Sequence, residues 1–224
     1  MTDNRMAGLA MIAGSAGVII TLGLHPSGHG LFAPETFDSA ARTLIAVHSL
    51  ALATFPVWFL GACGLSRQLD APAGSTARGR WGFCGLVLYG FALASMMTGV
   101  VLDGLVTPGV ARKIIDTTGT AAEGWKIALR YNGILDESFV RVFLVGSSVA
   151  IVLWSVSILK NAALARGVGF FGAILGVATV VAQLSGQLDR SPHIFGMVLV
   201  GQAAWFVVAG SLMMRIGEAS NLRG

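Results

Sequence analysis

The sequence predicts an all-α integral membrane protein, one bundle of six transmembrane helices, and three observations carry that prediction. Of the 224 residues, 54% are apolar and only 12% charged, about half the charged share of an ordinary soluble domain. Mean hydropathy is +0.75. Six apolar runs, about 7–24, 42–66, 80–106, 138–159, 167–187 and 194–215, are long enough to cross ~30 Å of hydrocarbon, which takes about 20 helical residues. The 30 glycines are costly in soluble helices but suit membrane helices that pack closely. Such a composition excludes a water-soluble globule, a disordered chain and a small disulfide scaffold. Residues 1–224 form a single transmembrane domain.

The first run resembles a signal peptide only in position. Its apolar stretch is long, and it is followed by His25-Pro26-Ser27-Gly28-His29-Gly30 instead of a small-residue cleavage site, so it is expected to stay as a helix. The connections 67–79 (with Pro72, Gly74 and Ser75) and 160–166 (with Asn161) are plain turns. The connection 107–137 is longer. Within it, residues 121–135 mix Trp125, Ile127, Leu129 and Tyr131 with Lys126 and Arg130, the pattern of a short interfacial helix lying over the bundle mouth or on its surface. In the fifth run, Gly172 and Gly176 give a small-xxx-small spacing for close packing, with Gln183 and Gln187 roughly on the same face. Cys63 and Cys84 lie in apolar segments. They read as small buried hydrophobes, with a disulfide left open.

Charge sets the expected orientation. With the N-terminus inside, Arg5, Arg67, Arg78, Arg80, Lys160, Arg166, Arg215 and Arg223 fall on the inner side, and the short outer loops hold only Arg42 and Arg190. The longer outer loop adds Arg112, Lys113, Lys126 and Arg130. This favours N-in/C-in in a bacterial-type cytoplasmic (inner) membrane. The formal charge of +4 is thereby spent on anchoring, and no nucleic-acid partner is expected.

The polar residues gather at one end. His25 and His29 follow the outer end of the first run, His48 lies about 9 Å into the second from the same side, and His193 opens the sixth. Asp103 sits near the outer end of the third run among Val100, Val101, Leu102, Leu105 and Val106. A carboxylate so placed faces the bundle interior and has a partner. Asp136 and Glu137 open the fourth run. Arg141 needs an anion inside that run, with Glu137 at i−4 or Asp103 as the candidates, and Asn132 shares a face with Asp136 if the preceding helix continues.

Imidazoles with carboxylates are what zinc, iron or copper take. The expected metal ligands are His25, His29 and His48, with zinc the default. Asp103 and Glu137 are the expected proton acceptors or further ligands. His193, Asp136, Arg141, Asn132 and Gln187 are expected behind them or along the substrate path. The function expected first is an intramembrane metal-dependent enzyme, hydrolase or oxidoreductase, with its site in an outer vestibule, acting on a membrane lipid or apolar small molecule. A transporter or proton relay through the same cluster is the alternative, and a haem or quinol redox protein with His48 as an axial ligand is the third.

Overall fold

The computed structural model describes residues 3–26, 28–70, 80–161, 164–187 and 192–221. Their regular elements are all helical, with no strand among the described residues. They form α1 (Asp3–Leu24), a short 3₁₀ turn (Gly28–Phe32), α2 (Phe37–Asp70), α3 (Arg80–Val101), a π turn (Leu102–Val106), α4 (Thr107–Asp116), α5 (Gly119–Asn161), α6 (Arg166–Leu184) and α7 (Pro192–Asn221). Six helical stretches are long and apolar enough to span a membrane, the third running without a break from α3 through the π turn into α4. Lipid offers no partner for a free N–H or C=O, so an apolar run of this length satisfies its backbone internally as helix. Even Pro56 leaves α2 unbroken.

Small residues set the helix pairings. Helix α1 packs between α2 and α7, α3 packs on α5, and α5 on α6. A Cβ on Gly14 would strike Trp58, one on Gly17 Thr54, and one on Gly8 the Gly210 carbonyl. Gly176 lets α6 approach the Ser148 carbonyl of α5, where a Cβ would lie at 2.6 Å, so the glycine spacing in this run does serve packing. Gln202 of α7 ties this layer together by accepting from Ser147 (3.1 Å) and donating to Ser148 (3.0 Å).

The bundle centre is aromatic. Trp58, Tyr89, Trp154, Trp205 and Phe206 are almost completely buried, with neighbouring ring centroids 5.0–6.1 Å apart. A smaller core of Leu31, Phe37, Ala41, Leu44 and Ala111 fastens the 3₁₀ turn and α4 to the start of α2. Arg112 closes it by lying over the Phe37 ring at 4.7 Å and reaching Asp38 at 3.3 Å.

Two expectations about the long connection change. Residues 121–135 are not a separate interfacial helix; they are the first third of α5, which runs unbroken for 43 residues. At 1.5 Å per residue that is about 64 Å, twice the hydrocarbon thickness. The stretch contains no proline, and Gly124 and Gly133 do not interrupt it. The break falls earlier, at Gly119, whose φ of +62° is the left-handed conformation that glycine adopts freely. The short helix of this region is instead α4. Cys63 is half-buried, Cys84 exposed, and both are free thiols.

Candidate metal centre

Three side chains from three separate segments meet at one end of the bundle. His48, at the start of the fourth turn of α2, is 4% exposed. Its Nδ1–H donates to the Leu44 carbonyl one turn back (2.8 Å), which fixes the ring, and its Nε2 lies 3.0 Å from Asp103 Oδ2. His25, one residue past α1, repeats the arrangement. Its Nδ1 bonds the Pro26 carbonyl at 3.1 Å and its Nε2 lies 3.2 Å from the same Asp103 oxygen. The two rings meet edge to face, centroids 5.0 Å apart. One ligand atom from each of His25, His48 and Asp103 lies within 4.8 Å of the other two, so the group could hold a metal ion.

The donor arithmetic of this triad is informative. A carbonyl only accepts, so each Nδ1 carries the hydrogen, and each Nε2 of a neutral ring is a bare lone pair. Both lone pairs then face an oxygen that is also an acceptor. A cation standing among the three would meet all of these lone pairs at once. The hydrogen bond to Asp103 raises the His25 pKa above the ordinary imidazole value, against the opposing effect of partial burial.

Asp103 owes its position to the π turn. A π turn opens the helical ladder by one residue and recurs at functional sites. Here Gly104 lies flat against His48, where any Cβ would collide with the imidazole. The widened turn is pinned at the Leu102 carbonyl, which accepts from the Thr107 hydroxyl (3.1 Å) and from Asn132 Nδ2 (3.1 Å). Asn132 also donates to Thr107 Oγ1 at 3.0 Å. Asn132, buried on α5, thus holds the turn that carries Asp103.

Below the triad opens a cavity of about 400 Å³ between α1, α2, α3, α5 and α7. Its walls are apolar, among them Phe55, Met96, Val140, Phe143 and Leu199, and its deepest residue on α2 is Trp58. Trp58 lies ten residues beyond His48, about 15 Å along the axis. His25, His48, Asp103 and Asp136 form the polar rim, and no Lys or Arg is among the described lining residues. Asp136 stands over Gly99, whose missing side chain makes room for the carboxylate.

The remaining expected residues are placed as follows. Glu137 is largely exposed, 3.5 Å from Arg141 of the next turn, and does not line the cavity. Arg141 thus pairs with Glu137, one of its two expected partners. Gln187 is exposed just past α6, with its backbone N–H on the Ala182 carbonyl. The side chains of His29, in the 3₁₀ turn, and of His193, in the first turn of α7, lie outside the described residues. Sequence reasoning missed Gly104, Thr107 and the apolar shaft ending at Trp58. The available signal was a glycine directly after an intramembrane acid. Compared with known families, curated proteins and solved structures, the chain matches none.

Proposed function

We propose that this is a membrane-embedded metal-dependent enzyme in which His25, His48 and Asp103 hold one ion over an apolar cavity. The observation that carries the proposal is the convergence of two Nε2 atoms on one carboxylate oxygen, each ring oriented from behind by a carbonyl. Hydrogen-bonded imidazoles of this kind are what metal sites use to fix ligand orientation. Zinc fits best, because nitrogen and oxygen donors suit it and three protein ligands leave a fourth position for water. A bound ion of this type supplies a Lewis acid and a water of lowered pKa.

The chain's own residues do the rest. Asp136, on the rim, is the carboxylate placed to take up or return a proton. The apolar walls below exclude water and accept the hydrophobic part of a lipid or of an apolar small molecule. The edge-to-face contact of His25 and His48 leaves no gap for a macrocycle between these rings, which weighs against a haem held by the pair. The Lys/Arg distribution supports an N-in/C-in chain in an inner membrane, its site facing outward.

Elemental analysis of protein purified without chelator tests the proposal. About one equivalent of zinc is expected, and its loss in folded His48→Ala protein. Protein that is metal-free and takes up no added zinc, iron or copper would overturn it, as would His48→Ala retaining full metal.

A further inference from the structure

The cavity under the rim has a definite depth and a closed floor. Seven residues separate the rim from the deepest lining residue along three helices: His25 from Val18 on α1, Asp103 from Met96 on α3, and Asp136 from Phe143 on α5. On α2 the separation is ten, from His48 to Trp58. At 1.5 Å per residue the shaft is about 10–15 Å deep. Its floor is the aromatic core. Trp58, Tyr89, Phe143 and Phe206 are each no more than 1% exposed, and Trp58 packs on Tyr89 and Phe206 with ring centroids 5.9 and 5.0 Å apart. Rings packed this way do not part without losing contacts. Between rim and floor, only two side chains of the described lining carry a nitrogen or oxygen. Thr21 donates its hydroxyl hydrogen to the Gly17 carbonyl at 2.8 Å, and the Trp58 indole nitrogen is sealed inside the core. The described lining thus offers polar groups at the mouth and hydrocarbon or aromatic surface below.

We infer that the cavity is a gauge for one hydrocarbon chain. It takes a single-chain amphiphile whose polar head stays at the His25–His48–Asp103–Asp136 rim and whose tail, about eight to twelve carbons long, ends on Trp58. This deepens the proposed function and rests on reading the cavity as its substrate site. The length follows from the depth, because an extended chain advances about 1.25 Å per carbon at ordinary bond lengths and angles. The number of chains follows from the width. About 400 Å³ spread over that depth averages roughly 30 Å² in cross-section. That admits one chain at carbon contact distances near ~4 Å, and is too narrow for the two chains of a phospholipid side by side. The polarity follows from the lining, since a second polar group on the tail would be buried without a partner. The aromatic floor makes the limit sharp. A longer tail must crowd the shaft or lift its head off the rim.

The test uses primary alkanols of six to sixteen carbons with metal-free and zinc-loaded protein in lipid nanodiscs. Binding is followed by thermal shift and referred to each alkanol's concentration in the lipid. A methylene is as well accommodated in lipid as in the shaft, so affinity is expected to stay level to about twelve carbons and to be about tenfold weaker at sixteen. Dodecane-1,12-diol is expected to bind about tenfold more weakly than dodecanol, because its far hydroxyl meets no partner. Val18→Phe raises the floor and is expected to shorten the limit by about three carbons. Trp58→Phe, which keeps an aromatic ring against Tyr89 and Phe206, lowers the floor and is expected to lengthen it. Alkanols that bind with no limit in this range, or a limit that neither folded variant moves, would overturn the inference while leaving the cavity as a ligand site. A diol bound as tightly as dodecanol would do the same. Alkanols that fail to bind at all would overturn the gauge and the cavity reading together. The zinc analysis decides the metal separately.

Discussion

The two ends of the bundle solve the same problem in opposite ways. On the side of the aromatic core away from the histidines, Trp154 and Trp205 stack with their planes 6° apart, and each indole N–H has an acceptor near the start of α3 or α6. At the histidine end, two imidazoles share one carboxylate oxygen, with acceptors facing acceptors and an open cavity beneath. The first arrangement is complete as it stands. The second sets two imidazole nitrogens and a carboxylate oxygen close enough together that they could hold a metal ion. One end closes the bundle and the other leaves a cavity open beneath a polar rim.

The strongest challenge to that contrast comes from substituting both ends. Trp154→Ala opens a cavity in the closed end and should cost about 3–5 kcal/mol in reversible unfolding, with the zinc content of the folded fraction unchanged. His48→Ala should do the reverse, emptying the site while disturbing the fold far less. Equal destabilisation by the two substitutions would make the histidine end ordinary core. Next in size is Asp103→Asn, which leaves shape but removes the charge between the rings. It should weaken zinc binding, measured by competition with a chromophoric chelator, by more than Asn132→Ala does. For Asn132→Ala, which only loosens the π turn, the expected loss is about 10–100-fold, as for other groups behind a metal ligand.

The smallest effect is in pH. His25 is raised above its unfolded value of about 6.5 by Asp103. Its contribution to the stability of metal-free protein is therefore full below pH 6.5 and lost as pH rises through the folded value. Zinc needs the neutral ring, so zinc affinity should move the other way and strengthen over the same rise. Denaturation of metal-free protein that is flat in pH, or that strengthens upward, would contradict the His25–Asp103 pairing.

What could be read from the sequence follows from where polarity is expensive. His48 and Asp103 stood out because an ionisable group in an apolar run needs a reason, and they proved to be in contact. His25 followed from its place at the end of α1. Glu137 and Arg141 pair as their i,i+4 spacing implied. The sequence reading ranks Glu137 ahead of Asp136, and the cavity lining has Asp136 and not Glu137. Neighbours on a helix point about 100° apart, and the sequence does not say which of the two faces inward. Only the bundle's packing shows that Asp136 is the one turned to the cavity. The unbroken course of α5 was equally hidden, because amphipathic periodicity looks the same in a surface helix and in the extension of a span. The deep pocket was illegible for another reason. Trp58, Phe143 and Leu199 are apolar residues in apolar runs, and only tertiary packing shows what they fail to touch.

The π turn ties the site to the length of one turn. It amounts to an α-helix carrying one surplus residue, accommodated in the ladder instead of being expelled into a loop. Loss of a single codon between Leu102 and Val106 would restore the ordinary pitch and swing one side of the join by about 100° relative to the other. Either Asp103 would leave the histidines or α4 would leave its seat on α2, and both spans would still insert in the membrane. A one-residue deletion in this turn is therefore expected to part Asp103 from His48, or α4 from α2, with the helical spans kept.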